Sequence, residues 1–285
     1  LADMPALLSA PVERISIYPL KSLDGRSVDR LEVVTNGGLA GDRASALFDS
    51  DGDYVNAKND RQVHPIRATY ARDGARAQSL TLSTPEQHAT RFDLGAVDDA
   101  SAPIANWLRE WFGYPVALDR NREGGYPDDT TASGPTIISE ATIETVAGWF
   151  DDVDSEGMRR RLRPNIVLGG VPAFWEDHLF ADRNSRVRFA IGDAEFLGVN
   201  PCQRCVVPSR DPDTGDEIED FNKTFIERRR ATMPDWSGGD WFDHEFRLMV
   251  NTAVSEASWG ETIAVGDELA VDKPVPADET PVPAE

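Results

Sequence analysis

Lysine is nearly absent from this chain of 285 residues: Lys21, Lys58, Lys223 and Lys273 are the only four, so 25 of its 29 basic residues are arginine. Cysteine is scarcer still, with Cys202 and Cys205 alone. Two thiols cannot build the disulfide framework of a small secreted domain, and they cannot hold a four-thiolate iron–sulfur cluster within the chain. No run of about 18 apolar residues occurs, so the sequence offers no membrane-spanning helix. The opening stretch, Leu1 to Val12, is too short and too uncharged for an export signal, and the expectation is a cytoplasmic protein.

Carboxylate is what the chain has in excess. Its 50 Asp and Glu against 29 Lys and Arg leave a net charge of −21, a field that repels nucleic-acid phosphates and anionic lipid surfaces over most of the molecule. Neither nucleic acid nor membrane is an expected partner. Surplus acid with little lysine suits a cytoplasm at molar salt, where the Debye length falls to about 3 Å and self-repulsion is screened. An ordinary acidic protein is the alternative reading. With 40% hydrophobic residues the chain can build a real core, as one large domain or two closely packed ones.

From Val12 to Leu94 the pattern is of short β-like runs (Val12–Tyr18, Val28–Val34, Ala46–Phe48, Leu80–Leu82, Arg91–Leu94) separated by Gly37-Gly38, Asp51-Gly52 and Asp73-Gly74 turns. Ile104, Trp107, Leu108, Trp111 and Phe112 recur at helical spacing, which predicts an amphipathic helix over Ser101–Phe112, with Ser101 as its cap and Gly113 beyond its end. Asn121 to Gly134 reads as a loop into a second unit. That unit opens with Ile137-Ile138 and a helix capped by Ser139, then continues in β-rich segments at Asn165–Leu168, Val187–Ile191, Glu195–Val199, Val206-Val207 and Thr262–Leu269, with a helix over Phe221–Arg230. The expectation is a mainly β protein with some α (α+β): a β-barrel-like unit over 10–130, a second β-barrel over 131–272, and a disordered acidic tail over 273–285.

The sharpest local feature is Asn200-Pro201-Cys202-Gln203-Arg204-Cys205. A C-x-x-C pair can be half a zinc site, a redox dithiol, a single thiolate ligand for a soft metal, or simply two small buried hydrophobes. Zinc needs two further ligands, whereas His64, His88, His178 and His244 are scattered singly. A redox dithiol belongs at a helix N-terminus, whereas Cys205-Val206-Val207-Pro208 reads as a strand followed by a break. Arg204 between the thiols is a permanent cation of the kind that favours a thiolate. Asp211-Pro212-Asp213-Thr214-Gly215 follows as a tight acidic turn.

Cys-Gln-Arg-Cys followed by Asp-Pro-Asp-Thr-Gly, with Arg163-Pro164-Asn165-Ile166-Val167 and Ser139-Glu140-Ala141 upstream, resembles the MOSC domain. Ile17-Tyr18-Pro19-Leu20-Lys21-Ser22 and Gly41-Asp42-Arg43 resemble the β-barrel domain that precedes it in amidoxime reducing components and their bacterial relatives. The resemblance implies a molybdenum cofactor, with Cys205 as metal ligand and catalytic residue and Cys202 in support. It implies that Lys21, Ser22, Arg43, Arg163, Gln203 and Arg204 cradle the pterin and its phosphate. Thr131 and Ser133 lie in the loop that approaches the pterin, with Gly134 where a proline is often found. Neither pyridoxal phosphate nor an iron–sulfur cluster is expected in this chain. The implied activity is an oxidoreductase acting on small N-hydroxylated or N-oxide substrates, with electrons from a separate ferredoxin, flavoprotein or haem protein. A cofactor carrier or sulfur-transfer protein without turnover is the alternative. Trp175, Trp236, Trp241 and Trp259 are candidates for a substrate entrance, against the ordinary explanation that they fill the core.

Overall fold

The computed structural model describes residues 9–73, 76–94, 101–121, 123–234 and 241–276. The first half carries β1 (Ser9–Ile17), β2 (Arg26–Val28), β3 (Arg30–Glu32), β4 (Ser45–Phe48), β5 (Arg67–Asp73), β6 (Arg76–Ser83), β7 (Thr90–Asp93), α1 (Ser101–Phe112) and β8 (Ala117–Arg120). The second carries β9 (Ile137–Ser139), α2 (Glu140–Ala147), α3 (Ser155–Leu162), β10 (Ile166–Leu168), β11 (Ser185–Ile191), β12 (Ala194–Gln203), α4 (Phe221–Thr232), β13 (Arg247–Val254), β14 (Thr262–Ala264) and β15 (Glu268–Pro276). Mainly β with a few helices, the architecture is the one the sequence predicts.

Its centre is a closed barrel of seven strands in the order β10-β9-β13-β12-β11-β15-β1, shut by the pairing of β1 with β10. Closure leaves no free edge among these seven. β1 is the first strand of the chain, yet Val12 pairs with Leu168 and Ala10 with Leu269, so sheet membership crosses residue 130. The barrel is filled by Ile15, Ile17, Phe189, Phe196, Val250 and Leu269, all buried. At Gly198 an added Cβ would lie 1.5 Å from the Leu179 carbonyl oxygen, so only glycine lets β12 pass the 3-10 turn Trp175–Leu179. A second core sits among the sheet β5-β6-β7, the β4–β8 pair and the apolar face of α1, where Leu47, Ile66, Leu80, Leu82 and Leu108 are buried. A third packs α2, α3 and α4 on the barrel's outside through Ile143, Val146, Met158, Leu162, Phe221 and Phe225.

Four expectations change. The Val28–Val34 run is two strands, β2 beside β1 and β3 beside β14, in different sheets. Val206-Val207 is no strand: β12 ends at Gln203 and Val207–Ser209 is a 3-10 turn, because Pro208 has no N–H for a ladder and the Ser209 hydroxyl donates to the Val206 carbonyl at 2.7 Å. The Thr262–Leu269 run splits at Gly266, φ +93, into β14 and β15. The tail expected to be disordered from 273 instead begins within β15, where Pro274, Val275 and Pro276 pair with Val187, Arg186 and Ser185; residues 277–285 lie outside the described ones. Helix α3 answers to no sequence expectation. It has no apolar stripe to announce it, with Met158 and Leu162 its only buried apolar residues beside buried Arg161, and an Asp154 cap whose carboxylate accepts from the Gly157 N–H at 2.6 Å.

Candidate functional site

Where β1 ends, Tyr18-Pro19-Leu20-Lys21-Ser22 leaves the barrel and crosses to the first half, and the Lys21 N–H donates to the Ser45 carbonyl at 2.8 Å. Lys21 Nζ then meets the 126–128 loop, donating to the carbonyls of Tyr126 at 2.9 Å and Pro127 at 3.4 Å and to the Asp128 carboxylate at 2.5 Å. The ammonium also lies 5.3 Å from the Tyr54 ring centroid. Arg43 adopts a left-handed backbone, φ +46, after Gly41 at φ +81. Its guanidinium pairs with Asp42, and its Nε lies 3.4 Å from the second Asp128 oxygen. One carboxylate therefore bridges the two cations. Crowding by protein opposes charge on Asp128, but Arg43 and Lys21, with Arg163 behind them, hold its carboxyl down at about 2.

The second half contributes from the C-terminus of α3. Arg163 ends that helix in the left-handed conformation, φ +57 and ψ +51. Its guanidinium donates to the Leu23 carbonyl at 2.7 Å and lies 4.1 Å from the centroid of the Tyr18 ring, while the guanidinium of Arg43 lies 5.5 Å from the same centroid. Among the described residues no carboxylate lies within 4.0 Å of Arg163, and burial pushes its pKa down. Buried Asn165 ties the crossing together: its amide N–H donates to the Ser16 carbonyl at 3.1 Å, and its oxygen accepts from Thr136 at 3.2 Å and Arg43 at 3.4 Å. Arg204 donates to the Leu162 carbonyl at 3.0 Å, next to Arg163, and sits 3.2 Å from Cys202 Sγ. The cation of the cysteine motif thus contacts the first thiol, and Cys205 is exposed with a free thiol.

Lys21, Arg43, Arg163 and Arg204 are therefore linked through Asp128, Tyr18 and Leu162. Ser22, at φ +72, joins Arg163 in lining a cleft of about 140 Å³ at the seam between the halves. The other expected residues are engaged elsewhere. Gln203 Nε2 lies 3.1 Å from His244 Nε2, the Thr131 hydroxyl donates to Asp129 at 2.7 Å, and that of Ser133 donates to the Asn36 carbonyl. Glycine at 134 has a steric reason, since a Cβ there would stand 2.6 Å from the Thr252 carbonyl oxygen. Trp175 is core, Trp241 and Trp259 pack against it, and Trp236 lies outside the described residues. Sequence reasoning missed Asp128 and the ring of Tyr18; the signal for the first is a carboxylate in a loop opposite one of only four lysines. Among the described residues no three His, Cys, Asp or Glu converge as a metal-ligand group, and no helix is long and apolar enough to cross a membrane.

The chain is 28% identical over 239 residues to mitochondrial amidoxime reducing component 2 of Bos taurus, covering 72% of this chain and 67% of that protein. Mitochondrial amidoxime-reducing component 1 of Homo sapiens is 26% identical, with 72% of this chain and 67% of the relative covered. A molybdenum cofactor sulfurase of Caenorhabditis briggsae is 35% identical over 81 residues, 28% of this chain and 10% of that protein. The solved YUAD protein of Bacillus subtilis matches 94% of this chain and 98% of its own at 15% identity, with a TM-score of 0.35 that carries no argument. The MOSC N-terminal beta barrel domain matches residues 9–115 and the MOSC domain residues 136–270, so the chain belongs to the MOSC family in its two-part form.

Proposed function

We propose that this protein is a molybdenum-cofactor-dependent oxidoreductase that reduces small N-hydroxylated or N-oxide substrates with electrons from a separate ferredoxin, flavoprotein or haem protein. The observation that carries the reading is the convergence of cations from both halves on one ring and one carboxylate: Arg163 and Arg43 on Tyr18, Arg43 and Lys21 on Asp128. Arg163, a half-buried cation with no carboxylate within 4.0 Å among the described residues and only the longer-range field of Asp128 to offset it, fits a phosphate-bearing cofactor, because a partly desolvated charge gains from a ligand that supplies its counter-charge. The exposed free thiol of Cys205 fits a soft metal that must also meet substrate.

When bound, the cofactor supplies the two-electron reduction of the N–O bond. This chain's part is ligation and orientation. Cys205 is the thiolate ligand, and Arg204, fixed on the Leu162 carbonyl, holds the motif loop against α3. Arg163 and Ser22 offer donors to phosphate, and Lys21 and Arg43 offer charge. Gln203, Thr131 and Ser133 are assigned to the pterin's edges, which requires them to exchange their present local hydrogen bonds.

Cofactor carriage or sulfur transfer without turnover is the second reading, favoured by the sulfurase relative. The test uses protein made in a host with active cofactor synthesis. Cys205→Ala should lose molybdenum while Cys202→Ala keeps a substantial fraction, and the loaded wild type should reduce a small amidoxime with a chemical electron donor. Equal metal loss in both variants would refute the ligand assignment, and a loaded protein without turnover would favour the carrier.

A further inference from the structure

Eight arginines line the seam cleft, in a chain whose net charge is −21. Like charges so gathered repel, and they stay together only where something compensates them. Carboxylates do part of this. Asp213 accepts from Arg67 at 2.7 Å and from Arg160 at 2.7 and 2.8 Å, Asp24 on the cleft wall lies 3.2 Å from Arg67, Glu140 and Glu156 pair with Arg159, Glu217 lies 3.4 Å from Arg210, and Asp211 lies 3.2 Å from Arg161. The compensation is incomplete. Arg163 has no carboxylate within 4.0 Å among the described residues, and Arg14 reaches Glu156 only at 3.9 Å. Among the described residues, the Nε donors of Arg67, Arg159 and Arg161 are buried without an acceptor. Ser22 and Arg163, both on the cleft wall, keep left-handed backbones at φ +72 and +57 although neither is glycine, the kind of local strain that gathers at ligand sites.

We propose that this cleft is a second anion site, which binds the phosphate group of a small ligand between Arg14 of β1, Arg67 of β5 and the arginines of α3. Guanidinium forks match phosphate oxygens two at a time, and a tetrahedral dianion supplies acceptors to several donors at once. About 140 Å³ is several times a water molecule's share of liquid volume, about 30 Å³, and accommodates a phosphate with a few further atoms. The site adjoins the one proposed for the cofactor, whose phosphate donors Ser22 and Arg163 stand on its wall. Lys21, Arg43, Arg204 and Cys205 do not line it, and only Ser22 and Arg163 border both. The competing account is an ion-pair seam that joins the halves and binds nothing.

The full chain, purified without cofactor, is titrated with inorganic phosphate by calorimetry at constant ionic strength, so the result does not depend on the proposed function. One saturable site is expected. Arg14→Gln and Arg160→Gln should each weaken it tenfold or more, and Arg160→Lys should weaken it less, because it keeps the charge and loses the fork. Arg14 is 40% exposed with one distant partner, so its loss leaves the fold intact. Glycerol 3-phosphate distinguishes the sources: tighter binding than phosphate identifies an ester ligand, equal or weaker binding free phosphate, and both support the site. Absence of saturable binding overturns the proposal. So does an equal effect of Arg188→Gln, whose guanidinium sits on Glu195 at 3.8 Å and outside the cleft. Molybdenum content should stay at the wild-type level in Arg14→Gln and Arg160→Gln; a fall in step with phosphate affinity would make the cleft part of the cofactor site and end its claim to be a second one.

Discussion

Asp128 holds Lys21 and Arg43 with one carboxylate, so an anion entering between them must displace it or share it. With its carboxyl held at about 2, below the ordinary value of 3.8, the contact contributes stability above about pH 4 and loses it as pH falls through 2. Because the side chain is 70% exposed, Asp128→Asn should cost only about 0.5–1 kcal/mol. Molybdenum content in that variant should be kept or raised, since both cations become available; a fall, measured beside the melting temperature, would place Asp128 among the groups that hold the cofactor. Glu176 behaves oppositely. Burial raises its carboxyl from 4.5 to about 7, with the charge of Asp177 adding to the effect, and among the described residues one of its oxygens has no side-chain hydrogen-bond partner. The folded state therefore keeps a proton that the unfolded state releases near 4.5, so stability falls as pH rises from about 4.5 to 7 and is level above that. Glu176→Gln should remove this slope and raise stability at pH 8 by an amount on the order of 3 kcal/mol, as read from denaturant midpoints at pH 5 and 8. Neither residue's role was legible in the sequence, because Asp128 is one acid among 50 and burial of Glu176 depends on the barrel closing over it.

Among the elements, those with a periodic apolar face were legible and those held by caps and charge were not. α1 runs over Ser101–Phe112 as its stripe of Ile104, Trp107 and Leu108 requires, and Ser139 caps α2 by accepting from the Thr142 N–H at 3.2 Å. α3 reads Ser-Glu-Gly-Met-Arg-Arg-Arg-Leu, polar enough to pass for loop, yet it brings Arg159, Arg160, Arg161 and Arg163 to the cleft. Its one sequence signal is the Asp154 cap. Asp154→Ala should therefore cost about 1 kcal/mol of stability. Fraying from that end should also show as faster amide exchange over 155–160, ahead of any change in the barrel strands. The C-terminal half of the cysteine motif was misread for a related reason: two valines suggest a strand, but Pro208 and the Ser209 hydroxyl turn the chain instead.

Across the whole molecule, β1 ties the two halves of the sequence together: it completes the barrel with Val12 and Ile15 and delivers Tyr18 and Lys21 to the first half. Ion pairs then sew the halves together, Arg61 to Glu217 at 2.6 Å and Arg67 to Asp213 at 2.7 Å. Family motifs made the partners of this seam legible from sequence, Lys21 and Arg43 on one side and Arg163 and Arg204 on the other, whereas the arginine cleft between them needed the fold. Salt acts on these features in opposite directions. Raising potassium chloride from 0.1 M toward 1 M shrinks the Debye length from about 10 Å to about 3 Å, which relieves the repulsion of 21 excess negative charges and weakens the exposed seam pairs. Such surface pairs contribute at most about 1 kcal/mol each, whereas self-repulsion acts on the entire surface. The unfolding midpoint should accordingly rise with salt, and it should keep rising beyond the concentration at which screening saturates if stronger apolar burial or ion binding adds to it. A midpoint that is flat or falls between dilute buffer and molar potassium chloride would mean that the seam outweighs the surface, and the acidic composition would then need an explanation other than a salty cytoplasm.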